Sequence, residues 1–136
     1  MARVLVAAAT NVPVGQPGFY PALQPGAGTL TLAFQAADTG NKNYTPLVAG
    51  KTRLYAMNTG ASPHTVTITS VADEKNRTGD ITAYSLAAIA GTTPVIVPFG
   101  PFAAAGWLSP TGGGTPAGLW FEANHAEVLF AVETLP

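Results

Sequence analysis

No cysteine occurs in this chain. Its absence removes disulfides, thiolate-bound zinc and thiol nucleophiles together, and leaves packing alone to hold the fold in any redox compartment. Charge is scarce as well. Asp, Glu, Lys and Arg make up 10% of the 136 residues, against roughly 25% in an ordinary soluble domain. So thin a charged coat suits a surface largely covered by neighbouring molecules, or else a small domain kept in solution by neutral polar groups. The net charge of −1 creates no field to gather nucleic acid or an anionic membrane, so neither is expected as a partner. All six basic residues (Arg3, Lys42, Lys51, Arg53, Lys75 and Arg77) precede residue 80, whereas only Glu122, Glu127 and Glu133 carry charge beyond it.

An uninterrupted apolar run is also missing. RVLVAAAT at the start is too short for the core of a secretory signal and leads into Pro13. Residues 85–108 are long enough to span a bilayer, but Pro94, Pro98, Pro101, Gly91, Gly100 and Gly106 break any continuous helix. Neither segment is expected to enter a membrane.

Catalytic signatures are equally sparse. The glycine run in TGGGTPAG (111–118) lacks the lysine of a phosphate-binding loop and is followed by LWFEA, a strand pattern rather than a helix start. It reads as the tip of a hairpin joining 105–108 to 117–123. Ser62, His64 and Asp80 compose a hydrolase triad only on paper, and both histidines, His64 and His125, stand beside turn residues. Glu122 and Glu127 are the available carboxylate pair for glycoside cleavage, a chemistry decided by their separation in space. Asp73, Glu74, Asn76 and Asp80 form a loose oxygen cluster, but Lys75 and Arg77 interrupt it and the EF-hand spacing is absent, so a solvated charged loop is expected. Asn76-Arg77-Thr78 formally matches a glycosylation acceptor. No catalytic residue, cofactor or metal ligand is assigned, and no enzyme is expected.

What the sequence does contain is a period of two. Leu54 and Ala56 alternate with Arg53, Tyr55 and Met57; Val66 and Ile68 alternate with Thr65, Thr67 and Thr69; Val128, Phe130 and Val132 share one face. Apolar residues on one side and threonine on the other mark a strand with one solvated face. Eight strands are expected, at roughly 3–8, 29–36, 51–58, 64–71, 81–87, 93–98, 117–123 and 126–134. Turn-forming stretches separate them, such as NTGASP, DEKNRTGD and AGTTP. One segment, Ala33–Asp38, also admits a helical turn or two. Many short strands and no amphipathic helix predict an all-β fold, an antiparallel β-sandwich or jelly-roll-like domain over 29–136.

Residues 1–28 are expected to form an extended arm that includes a short edge strand at 3–8. Within it, residues 9–28 hold four prolines and four glycines yet also Phe19, Tyr20 and Leu23. Such a segment either lays its apolar residues into a partner, where proline lowers the entropy lost on docking, or folds back over an edge of its own domain. Tyr55, Tyr84, Trp107 and Trp120 are the aromatic residues available for stacking on a sugar, and a carbohydrate-binding module is the main functional rival. Trp107 and Trp120 read equally well as interface or core anchors.

From Lys51 onward a longer frame emerges: Gly50, Thr52 and Leu54; Asn58 with Val66, Thr67 and Ile68; Gly100, Pro101 and Phe102; and Val128, Phe130, Ala131 and Val132. This frame, spanning residues 50–135, resembles a family of small tailed-phage β-sandwich proteins associated with head structure. The resemblance implies a virion structural protein on the outer surface of the capsid. Such a decoration or cement protein binds the major capsid protein and has no catalytic site; a head-fibre, neck or tail component is the variant reading. It further implies a homo-oligomer, with a trimer suggested by the three-fold positions of a shell lattice. The interface residues expected are Phe19, Tyr20, Leu23, Phe102, Trp107 and Trp120.

Overall fold

The computed structural model describes residues 2–10 and 32–135, and the account that follows concerns these. Ten strands form: β1 (Val4–Leu5), β2 (Ala8–Thr10), β3 (Gln35–Ala36), β4 (Asn43–Thr45), β5 (Thr52–Asn58), β6 (His64–Thr69), β7 (Ile81–Leu86), β8 (Val95–Phe99), β9 (Leu119–Ala123) and β10 (Val128–Thr134). They make two five-stranded sheets. The first runs β1-β4-β9-β6-β7; the second runs β2-β10-β5-β8, with β3 also pairing β10. Most pairs are antiparallel, but β1 lies parallel to β4 and β2 parallel to β10. The chain is therefore all-β with mixed sheets. The only helical feature among the described residues is a single turn at Ala104–Trp107, broken at Gly106, whose φ is 93°.

The alternation read from the sequence becomes the core. In β5 every second residue from Thr52 to Asn58 is buried, and in β6 His64, Val66 and Ile68 are buried while the threonines between them stay partly exposed. β9 repeats the pattern with Leu119, Phe121 and Ala123. The two sheets meet through their aromatic residues. Phe121 of β9 and Phe130 of β10 pack edge to face with centroids 4.7 Å apart, and both are fully buried. Each such side chain contributes about 1.5–3 kcal/mol on leaving water. Val6, 1% exposed, lies between β1 and β2, so residues 4–10 pass from an edge of one sheet to an edge of the other around a buried anchor.

Several sequence expectations change here. The strand expected at 3–8 is two short strands, one in each sheet. Where one strand over 29–36 was expected, the described part contains only Gln35–Ala36. The helical turn admitted at Ala33–Asp38 does not form, because β10 captures this backbone through Ala36 opposite Leu129. β4 was not expected at all. Its inward residues are Asn43 and Thr45, so no apolar alternation announces it.

Two fully buried asparagines explain why such short elements hold. The Asn43 amide donates to Val4 O (3.3 Å), and its carbonyl accepts from Asp38 N (2.9 Å), tying β1 to the turn before β4. Asn58 does the same at the far end of β5. Its amide nitrogen donates to Ser62 O (2.8 Å) and Ala87 O (3.2 Å), and its Oδ1 accepts from Gly60 N (2.8 Å). Buried amides satisfied in this way fix the loops to the sheets, because an unmet group there costs about 1–3 kcal/mol.

Candidate functional site

The glycine run is a hairpin turn. Gly112 and Thr115 exchange both backbone hydrogen bonds (3.0 and 2.9 Å), leaving Gly113 and Gly114 as the two central residues, with φ of 57° and 81°. Two successive positive φ values define the hairpin turn whose twist matches its strands, and glycine meets that demand without strain. No ring of amides around a phosphate is built.

The other enzyme-like constellations do not assemble. Asp80 accepts from both the amide and the hydroxyl of Ser70, each at 2.7 Å. Those bonds hold its carboxyl below the ordinary aspartate range. His64 instead faces Glu127, and Ser62 presents its carbonyl to Asn58. Glu122 pairs with Lys42 at 3.3 Å, on different neighbours from Glu127. Asp73 is occupied by the amides of Lys75 and Arg77 and by the Arg77 guanidinium, which lowers its pKa in turn. The 73–80 loop is thus closed on itself by its own charges.

The expected interface residues divide. Phe19, Tyr20 and Leu23 lie outside the described residues. Phe102 is 3% exposed and belongs to the core rather than to a surface. Trp107 packs edge to face on Phe102 at 5.0 Å, so it anchors the broken turn to that core. Trp120 alone is set on an outer sheet face. The Arg3 guanidinium lies 4.6 Å above its ring, within the range of a cation–π contact. Arg3 also donates to the carbonyls of Asn43 and Phe121, at 3.2 Å each. Burial pulls the Arg3 pKa down, and Glu122 partly offsets this. Beside it runs a cleft of about 450 Å³ edged by Asn41, Lys42 and Gly112. With Arg3 on one face of Trp120 and Trp107 turned inward, the aromatic platform expected for a sugar is not formed by these two residues.

Sequence reasoning missed a different surface. The outward residues of the second sheet stand opposite one another across its strands: Ile96 faces Met57, Met57 faces Leu129, and Leu129 faces Ala36. The next row sets Pro98 beside Tyr55 and Ala131. The first of these rows is therefore apolar, with Ile96 47% exposed, whereas Ala131 in the second is fully buried. The charges of this outer face come only at one end, where Tyr55 donates to Glu133 (3.0 Å) and Arg53 lies 3.9 Å from the same carboxylate. The outer face of the first sheet is mixed, with Thr65, Thr67 and Thr69 beside Tyr44, Trp120 and the Lys42–Glu122 pair. The signal for the apolar face was present as Met57 and Leu129, apolar residues on the side assigned to solvent.

The flank next to this face is blunted against strand addition. β7 and β8 end their sheets, and the exposed Tyr84 of β7 meets Phe99 of β8 edge to face at 5.2 Å. β7 is bulged, with Ala83 at φ 48° and its amide turned to the Thr67 hydroxyl. β8 carries Pro98, which has no N–H to offer. Bulges and prolines are the devices that keep an edge from pairing indiscriminately. The large apolar side chains exposed on this side are Tyr84, Val95 and Ile96.

A third grouping joins residues far apart in sequence. His64, His125 and Glu127 meet where β6 begins and where β9 turns into β10, with the imidazoles stacked at 4.3 Å. No helix among the described residues is long and apolar enough to cross a membrane. Compared with protein-family models, characterised proteins and solved structures, the chain matches none.

Proposed function

We propose that this chain is a virion structural protein, a capsid decoration or cement protein that stabilises a tailed-phage head by binding between capsid subunits. In this reading its two sheets form a β-sandwich of jelly-roll-like kind. The observation that carries the proposal is the apolar outer row Ile96–Met57–Leu129–Ala36 on a chain with so few charges. An apolar patch on a sheet face is the usual mark of a protein contact surface. The residue frame from Gly50 to Val132 supports the same assignment.

A cement protein acts through buried area repeated at symmetry-related positions. Each contact is of order a standard interface, ~1,600 Å². Grouping copies into a closed ring, a trimer in this proposal, makes later attachments nearly intramolecular. The second sheet supplies one patch. The proline-rich segment with Phe19, Tyr20 and Leu23 supplies a second, and bridging needs two. Because β1 and β2 are built into both sheets, a test of that segment begins after Thr10.

The experiment is decoration of purified expanded heads, read by co-sedimentation and by the position of added density on the particle. Wild-type chain should saturate fixed sites on the shell. Ile96→Arg, which sets a charge in the apolar row without entering the core, should lower occupancy at least about tenfold, since burying an unpaired charge costs well over 1.4 kcal/mol. Ile96→Arg decorating as well as wild type would remove this face from the interface. Density at the neck or tail would move the protein to those structures, and no attachment to any part of the particle would end the proposal.

A further inference from the structure

We propose that His64, His125 and Glu127 form a binding site for a divalent transition-metal ion, Zn²⁺ in the first place. His64 opens β6 in the first sheet; His125 and Glu127 lie in the turn that carries the chain from β9 into β10 of the second. Glu127 Oε1 is 2.9 Å from His64 Nε2 and 3.4 Å from His125 Nδ1. One ligand atom from each of the three residues falls within 4.8 Å of the others. Around a tetrahedral zinc with bonds of about 2.0–2.1 Å, ligand atoms stand roughly 3.3 Å apart. The two separations from Glu127 bracket that value, but the imidazoles stack with planes 6° apart, so the half-exposed His125 ring must turn off the stack to aim Nδ1 at an ion shared with His64 and Glu127.

The hydrogen bonds of the cluster show what an ion would displace. The Glu127 amide donates to His125 Nδ1 at 3.0 Å, so that nitrogen presents a lone pair. The Glu127 carboxylate oxygen beside it presents another, and between the two, at 3.4 Å, there is no proton. His64 Nε2 supplies the one N–H that Oε1 receives. A cation among the three takes the place of the hydrogen bonds from the Glu127 amide to His125 Nδ1 and from His64 Nε2 to Glu127 Oε1. Coordination through Nε2 requires the His64 tautomer protonated at Nδ1, and the Glu127 amide turns to water.

The backbone around the cluster is held in advance. Thr59 donates to Glu127 O through both its amide (3.0 Å) and its hydroxyl (2.7 Å). Asn124 Oδ1 accepts from the amide of Thr65, the residue next to His64, at 2.9 Å. Gly60 completes the wall. A Cβ there would stand 2.3 Å from Glu127 Oε1 and 3.0 Å from His64 Nε2, so glycine leaves the carboxylate its place. The His64 side chain is 10% exposed and fixed, whereas those of His125 and Glu127 are 51% and 46% exposed and leave room for a water as fourth ligand. Two imidazoles and a carboxylate suit Zn²⁺, and Cu²⁺ more tightly still; Mg²⁺, which prefers an all-oxygen octahedron, does not fit. An ion here would staple β6 of one sheet to the entry of β10 in the other.

The test uses the untagged full chain, stripped with EDTA, titrated with ZnCl₂ by calorimetry and followed by thermal melting. One saturable site is expected, with a melting temperature that climbs as zinc is raised above the dissociation constant, because the folded chain alone binds. MgCl₂ should leave the melting temperature unmoved. His125→Asn and Glu127→Gln, both on exposed side chains, should melt near wild type without zinc. Changes to outer-shell partners alone cost 10–100-fold in affinity, so losing a direct ligand should weaken zinc binding at least about tenfold. Two results would overturn the assignment: no saturable uptake of zinc by the wild-type chain, or uptake and thermal shift undiminished in the His125→Asn/Glu127→Gln double variant.

Discussion

Replacing Asn58 offers a sharp test of how the fold is held. The side chain is fully buried at the end of β5 and faces groups of two kinds. Its Oδ1 receives the Gly60 amide at 2.8 Å, and its Nδ2 faces the carbonyls of Ser62, Ala87 and Leu86 at 2.8, 3.2 and 3.4 Å. Asn58→Ala leaves the Gly60 amide and the Leu86 carbonyl without this partner inside the protein, while Ser62 and Ala87, both exposed, can turn to water. The unpaired buried amide, at about 1–3 kcal/mol, and the lost bonds to the carbonyls, at about 0.5–1.5 kcal/mol each, give a loss of about 3 kcal/mol, a large share of the 5–15 kcal/mol typical of a domain. Asn58→Asp keeps the shape and the bond from Gly60, but aims a second oxygen at three carbonyls. It must either hold a buried charge against them or take up a proton, so it should cost at least as much as alanine despite filling the site. The assay is urea unfolding with linear extrapolation, in which an unchanged slope shows that stability and not the unfolded state has moved. If Asn58→Asp unfolds within about 0.5 kcal/mol of wild type, the polarity of this site is not what holds the turn.

Two further outcomes follow from close contacts and charges. Gly118→Ala would put a Cβ 2.3 Å from the Thr45 carbonyl oxygen, where backbone must move; a loss of at least about 2 kcal/mol is expected. Gly113→Ala, with φ of 57° and open space around it, should cost only the roughly 1–2 kcal/mol of a left-handed residue. Equal urea midpoints for the two variants would contradict this ranking. The Asp80 pKa is lowered first by the Ser70 amide and then by its hydroxyl. A depressed folded-state pKa gives stability that is complete above the unfolded aspartate value of about 4 and is lost as pH falls through the folded value. Wild type should therefore lose stability more steeply than Asp80→Asn as pH falls below about 4, and parallel curves in urea midpoint against pH would refute the contribution of this carboxylate.

How much of this was legible in the sequence depends on what each element buries. β5, β6, β9 and β10 announce themselves because their inward residues are mostly apolar and, in β6, their outward ones threonine. β4 stayed hidden because Asn43 and Thr45 point inward, and Asn43 is held by the Val4 carbonyl, a distant partner that no local pattern reveals. The hairpin at Gly113–Gly114 could be read, since successive glycines in a tight turn have few other uses. The His64–Glu127 contact could not, because 63 residues separate partners that meet only through the β6–β9 pairing.

The apolar outer face stands between these cases, and it shows where sequence patterning stops. Met57 and Leu129 break the alternation of β5 and β10 on the side assigned to solvent, which signals that this side is not simply wet. What the pattern lacks is register. Only when β10 and β8 take places on either side of β5 do Leu129, Met57 and Ile96 become one row instead of three scattered residues. A shift of one residue in either pairing would send these side chains to the opposite face and split the row. The surface on which the proposed docking depends is therefore a product of strand pairing, written in no single segment of the chain. A register-preserving change such as Ile96→Arg consequently tests the surface, whereas any change that disturbs β5 tests the fold.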